Sequence, residues 1–83
     1  MTVFENAYCI GASEEIYVET QFEIKEDEPI RRTVYRAEDG SVVAYTDKNI
    51  LRMEGMFFEL YPELAELIKE DCGVKDVNFF WMR

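Results

Sequence analysis

From Glu14 to Lys25 the chain alternates, with Ile16, Val18, Thr20, Phe22 and Ile24 on one side of an extended backbone and Glu15, Tyr17, Glu19, Gln21 and Glu23 on the other. A period of two predicts a strand with one buried face. Ser13-Glu14-Glu15 has the form of a helix start, but the β-branched and aromatic residues that follow do not continue one. Glu26-Asp27-Glu28-Pro29 reads as a turn, Ile30 to Ala37 as a second strand, Asp39-Gly40 as a hairpin turn and Ser41 to Thr46 as a third strand. Upstream, Val3 to Ile10 is apolar enough for another strand, ended by Gly11-Ala12-Ser13.

Beyond Asp47 the period changes. Ile50, Met53, Phe57, Leu60, Leu64 and Leu67 recur at spacings of three and four, a helical stripe interrupted at Gly55 and Pro62. Proline suits a first helical turn, so the pattern predicts two helices or one kinked helix between about Lys48 and Cys72, the second part opening near Pro62 and ending at Gly73. Val77 to Met82, containing Phe79-Phe80-Trp81, reads as a short strand apolar on both faces. The expected fold is therefore α+β: one domain over residues 1–83, an antiparallel sheet of three to five strands packed on one face by a helical segment, in the order β-β-β-β-α-β. The expected core is Val18, Phe22, Tyr35, Val42, Ile50, Phe57, Leu60, Leu64, Leu67 and Phe79.

A four-residue turn at Glu26 to Pro29 would set Lys25 opposite Ile30, and hence Glu23 opposite Arg32 and Glu19 opposite Arg36. A two-residue turn at Asp39-Gly40 would set Arg36 opposite Val43, Val34 opposite Tyr45, and Arg32 beside Asp47. Both hairpins give the same two-faced sheet, with Ile16, Val18, Phe22, Ile24, Tyr35, Ala37, Val42 and Ala44 on the apolar side. Arg31 falls on that side too, near the turn, within reach of Glu26-Asp27-Glu28. The opposite side pairs its charges across strands and carries a small patch of Tyr17, Val34, Val43 and Tyr45.

Charge sharpens this picture. Eighteen acidic side chains oppose nine basic ones, giving a formal charge of -9, and the chain has no histidine. Yet 48% of the residues are hydrophobic, too many for a disordered acidic tail. Glu59, Glu63, Glu66 and Glu70 fall at i, i+4, i+7 and i+11, one helical face about 16 Å long with Lys69 the only base in the span. Because nothing in its segment neutralises it, this ridge is the first candidate for a partner-binding surface, and the Tyr17, Val34 and Tyr45 patch is the second.

The residue inventory narrows the chemistry. Without an imidazole, Ser13, Ser41, Cys9 and Cys72 have no ordinary activating base, and neither a Gly-x-Ser-x-Gly nor a phosphate-cradling glycine motif is present. The acidic turn lacks the ligand order and glycine of a calcium loop, so no metal or cofactor is expected, and Cys9 and Cys72 read as two buried free thiols, with a disulfide as the alternative. The N-terminus has neither the basic nor the apolar stretch of a signal peptide, and no apolar run is long enough to span a bilayer, so the sequence reads as a soluble cytoplasmic protein. Direct nucleic-acid binding is opposed by the charge.

Binding to proteins is what remains. The leading expectation is a non-catalytic acidic domain, an inhibitor or regulator that occupies a basic surface of a partner, including one that otherwise binds nucleic acid. In size and acidity the chain resembles phage-encoded inhibitors of restriction or CRISPR systems, a likeness of composition. The alternative is a structural or regulatory subunit that associates through apolar surface, as a homodimer or in a larger complex, with the Phe79-Phe80-Trp81 strand as the contact. For a small-molecule or metal-binding domain only the aromatic content speaks.

Overall fold

A computed structural model describes residues 2–24 and 30–81, with side chains from Ala7 onward. The elements are β1 (Thr2–Ile10), β2 (Ile16–Glu23), β3 (Ile30–Arg36), β4 (Val42–Asp47), β5 (Ile50–Glu54), α1 (Gly55–Leu60), α2 (Pro62–Cys72) and β6 (Asp76–Phe80). The fold is α+β, and the sheet has six strands in sequence order rather than three to five. β1 to β5 form an antiparallel meander; β6 returns through the two helices to lie parallel to β5.

One rung crosses the whole sheet on the helix side: Tyr8, Val18, Tyr35, Ala44, Met53 and Phe79 are partners in successive strand pairs. Its middle members, Val18, Tyr35, Ala44 and Met53, have no exposed surface, and they pack with Ile16, Leu51, Phe57, Ala65 and Ile68 into a single cluster. The neighbouring rung, Ala7, Glu19, Val34, Tyr45, Arg52 and Asn78, lies on the opposite side, as the alternation along β2 requires.

The segment from Ile50 to Glu54, expected to begin the helix, is a strand. Ile50 and Met53 fit a helical stripe, but Leu51 and Met53 fit an alternation equally well, and the fold takes the second: both are fully buried while Ile50, Arg52 and Glu54 are not. The hairpin that delivers β5 pairs Asp47 with Ile50 across Lys48-Asn49. Lys48 takes a φ of 58°, a conformation in which glycine or asparagine is the usual occupant, so the sequence carries no turn signal there.

Two registers also differ. β2 and β3 are offset by two residues from expectation, so Arg36 lies opposite Tyr17, Arg32 opposite Gln21, and Ile30 opposite Glu23. A shift of two preserves the faces, which is why the sidedness survives. The turn expected at Glu26 to Pro29, and the reach of Arg31 toward it, lie outside the described residues. In the β3–β4 hairpin the loop is one residue longer than expected. The Ala37 N–H donates to the Ser41 carbonyl at 2.9 Å, the Gly40 N–H to the Ala37 carbonyl at 2.9 Å, and Gly40 has a φ of 87°. A bulge then restores the register, so that Arg36 pairs with Val42 while Tyr35 pairs with Ala44 and Val34 with Tyr45. The extra residue exchanges two faces: Val43 is buried in the core and Val42 lines the open side.

The helices divide where proline requires. Pro62 opens α2, Gly73 closes it in the left-handed conformation, and Tyr61 between the helices adopts a non-helical φ of -132° and ψ of 63°. That break re-aims the stripe, so Ala65 and Ile68 are buried and Leu64 partly so, whereas Leu60 is 64% exposed and Leu67 lies at the surface. Of the expected core, Val18, Tyr35 and Phe57 are buried, Phe22, Val42, Ile50 and Leu64 are half-buried, and Leu60, Leu67 and Phe79 are exposed. Gly55 opens α1 directly beneath the Trp81 ring, where a methyl group would overlap the indole.

Phe57→Ala is expected to lower stability by about 3–5 kcal/mol, and Leu60→Ala to stay within roughly 0.5 kcal/mol, as read by urea denaturation. The reverse order would return Leu60 to the core.

Candidate partner-binding surfaces

The helix-free side of the sheet is built around a buried carboxylate. Glu19 is 8% exposed although no helix covers it. Its Oε1 accepts from Arg36 Nε at 2.8 Å and from Gln21 Nε2 at 3.0 Å, two donors on one oxygen. The expected Glu19–Arg36 ion pair therefore forms, but along a diagonal rather than directly across the strands. Arg36 also donates through Nη1 to the Gly40 carbonyl at 2.9 Å, so one guanidinium joins β2 to the β3–β4 loop.

Beside this pair, Arg32 stacks over the Tyr45 ring with its guanidinium carbon 5.3 Å from the centroid, and Tyr45 leans on Phe80 with centroids 5.9 Å apart. Arg52 approaches Asp47 at 3.4 Å. These side chains wall a shallow groove of about 230 Å³ lined by Gln21, Arg32, Val34, Arg36, Val42 and Tyr45. Of the apolar patch expected here, Val34 and Tyr45 are cross-strand partners, yet Val34 is only 5% exposed and forms the groove floor. Tyr17 stands apart on the rung of Cys9 and Arg36, exposed, and Val43 faces the core.

On the other side, the structure divides the glutamate ridge. Glu59 belongs to α1, while Glu63, Glu66 and Glu70 belong to α2, and the break at Tyr61 ends the continuous face that the spacing implied. All are exposed. Glu66 lies 3.4 Å from Lys69 Nζ, so part of the charge is neutralised within the helix after all. Such an exposed pair contributes well under about 1 kcal/mol.

The end of α2 is fixed by a contact that the sequence did not announce. Asp71 Oδ2 accepts from the Tyr8 hydroxyl at 2.7 Å and from the Tyr35 hydroxyl at 2.8 Å, joining β1 and β3 to the helix. A carboxylate in the last turn of a helix faces the negative end of the dipole, and the two phenol donors offset this. Burial raises both phenol pKa values, and hydrogen bonding to Asp71 and its negative charge add to the shift; Tyr8 is pushed up to about 12 and Tyr35 also moves upward. The available signal was that Tyr8 and Tyr35 share the core side of the sheet, where a buried hydroxyl requires a partner.

A second feature without a sequence forecast is the depression at the α1–α2 elbow, walled by Glu15, Tyr61 and Leu64. Among the described residues there is no group of three metal-ligating side chains, and no helix is long and apolar enough to cross a membrane. Cys9 and Cys72 are free thiols, but Cys9 is exposed at the β1 edge and Cys72 only half-buried, where the sequence had suggested two buried ones. Comparison with protein-family models, with curated proteins and with solved structures gives no match.

A double-mutant cycle of Glu19→Gln and Arg36→Met is expected to show a coupling on the order of 1 kcal/mol in urea melts, whereas additive losses would mean that the buried pair does not form. For the phenols the folded state favours the neutral form. Their stabilisation is complete below the ordinary tyrosine value of about 10 and is lost as pH rises through the raised values. Absorbance titration at the tyrosinate band should therefore show two late phenols, one near pH 12, with unfolding setting in above about pH 10. Tyr8→Phe should remove one late step.

Proposed function

We propose that this protein is a non-catalytic binding domain, an inhibitor or regulator whose acidic helical side occupies a basic surface of a partner protein, including one that otherwise receives nucleic acid. What carries this reading is the segregation of charge between the two sides of the sheet. Within α1 and α2, Glu59, Glu63, Glu66 and Glu70 are exposed against the single ammonium of Lys69. The guanidiniums of Arg32, Arg36 and Arg52 lie on the opposite side, where Arg36 and Arg52 approach carboxylates and Arg32 stacks on an aromatic ring. With a net charge of -9, and with Arg32, Arg36 and Arg52 on the far side of the sheet, the helical side is predominantly acidic, Lys69 and Arg31 being the basic side chains described there. Such a field steers association with a cationic partner and makes its rate salt-dependent.

A second reading has its own support. Met56, Leu60, Phe79 and Trp81 are exposed, the last at 61%, around α1 and the β6 edge of the sheet. An edge strand with such side chains is a pairing surface unless it is covered. In this version the domain associates with a second copy or a larger complex through β6.

The two readings separate on one measurement. With a partner recovered by co-purification from the native host, affinity should fall about tenfold or more between 50 and 300 mM salt, and by a similar factor in Glu66→Lys/Glu70→Lys. Affinity indifferent to both, but abolished by Trp81→Ala, would replace the acidic surface with the β6 edge.

A further inference from the structure

Two hollows adjoin where α1 turns into α2. One, of about 330 Å³, is lined by Ile16, Phe57 and the Ala37–Asp39 turn; the other, of about 440 Å³, by Leu60, Pro62 and Glu63. Glu15, Tyr61 and Leu64 line both, so the two hollows share a wall and together make up one elbow site. Its floor is apolar and aromatic, with the Phe57 and Tyr61 rings 5.6 Å apart and tilted by 40°. Its rim carries the carboxyl groups of Glu15, Glu38, Asp39 and Glu63, and no basic residue lines it.

Two of these carboxylates are not merely solvated charges. Asp39 accepts from the Ser41 hydroxyl at 2.6 Å and from the Ser41 N–H at 2.9 Å, bonds that hold its pKa below the usual carboxylate value and fix its position. Glu15 Oε1 accepts from the Ser13 N–H at 3.2 Å, while its Oε2, packed against Gly11, is cut off from solvent without any hydrogen-bond partner. A desolvated carboxylate oxygen is costly.

The occupant follows from this chemistry. An anion is repelled by the rim, and a purely apolar group leaves the carboxylates without a counter-charge. A side chain with a long aliphatic stem and a cationic head matches both parts, its methylenes lying on Leu64 and Tyr61, which line both hollows, and its head among the carboxylates. Arginine fits better than lysine, because a guanidinium is more weakly hydrated, stacks on a ring such as Tyr61 and can bond two carboxylates at once. We propose that the elbow hollow is a receptor for an arginine side chain of the partner protein. This deepens the acidic-surface reading and rests on it, and it gives that diffuse field a central anchor of the kind that dominates interface energetics.

The probe is arginine itself with both termini capped, titrated into the labelled protein and followed by amide chemical shifts. Saturable shifts are expected at Glu15, Asp39, Tyr61 and Leu64, with a Kd on the order of millimolar, since a single side chain supplies only a few kcal/mol. Capped norleucine and capped glutamate should bind far more weakly. Affinity should drop about tenfold in Tyr61→Ala and in the exposed Glu38→Gln/Glu63→Gln pair, whose melting curves serve as the check on folding. An elbow that gives no saturable response to arginine, or answers norleucine equally well, overturns the proposal. Partner binding lost in Glu66→Lys/Glu70→Lys while the elbow ignores arginine sinks the hollow and leaves the acidic surface standing. Arginine binding at the elbow combined with salt-insensitive partner binding sustains the hollow and removes the wider acidic surface.

Discussion

A single fully buried phenol carries the constraint on which the rest of this domain depends. Tyr35 sits at the centre of a six-strand rung with its ring in the core and its hydroxyl on Asp71. A buried hydroxyl without a partner would destabilise the fold, so the position of the last turn of α2 is set by where that bond can be made. That anchor holds α2 over the helix side of the sheet, where Ala65 and Ile68 join the same buried cluster as Val18, Ala44 and Met53. Ala44 and Ala65 are both fully buried, so neither position has open space for a larger side chain.

With only one helical layer, the other side of the sheet has to close itself. It does so with arginine stems rather than with a second layer. Val34 and Glu19 reach near-core burial in the groove that Arg32, Arg36 and Tyr45 wall, with the Arg36 guanidinium turned onto Glu19 and the Gly40 carbonyl and the Arg32 guanidinium onto the Tyr45 ring. The consequence is that most of the arginines of the described chain are structural. They are thereby withdrawn from the helical side, and this leaves that surface acidic.

The sequence spoke clearly where one rule operated alone. Alternation fixed the faces of β2 and β3, and the parity of the side chains survived a two-residue error in register. Proline and glycine placed both ends of α2, because each acts through its own backbone geometry and needs no neighbour. It was silent or misleading where two rules competed. Ile50 and Met53 satisfied a helical period that Leu51 and Met53 overrode, since a strand at that position pairs with β4 and β6 and buries both Leu51 and Met53. The exchange of Val42 and Val43 came from a one-residue bulge that valine cannot signal. At the candidate surfaces the spacing of the glutamates was legible, and so was the interruption ahead of Pro62; what the spacing alone hid is that this interruption places Glu59 in a different helix from Glu63, Glu66 and Glu70 and so divides the ridge. Asp71 and the elbow hollow arise from contacts between residues far apart in the chain, which no local pattern encodes.

The parallel pairing of β5 with β6 has a consequence for the order in which the chain can assemble. Each strand from β1 to β5 meets its neighbour through a local connection, so the meander can form as it is synthesised. β6 is made only after both helices, and until it docks the far edge of β5 remains an open row of hydrogen-bonding groups beside the apolar side chains of Leu51 and Met53. That interval is the stage at which another strand could pair in its place, and the same edge would be exposed again if β6 were to detach. Glycine at position 55, by admitting the Trp81 indole against the first turn of α1, fastens the closing strand at the opposite end from its helix connection, so one missing side chain helps decide whether the sheet ends in this molecule or continues into the next.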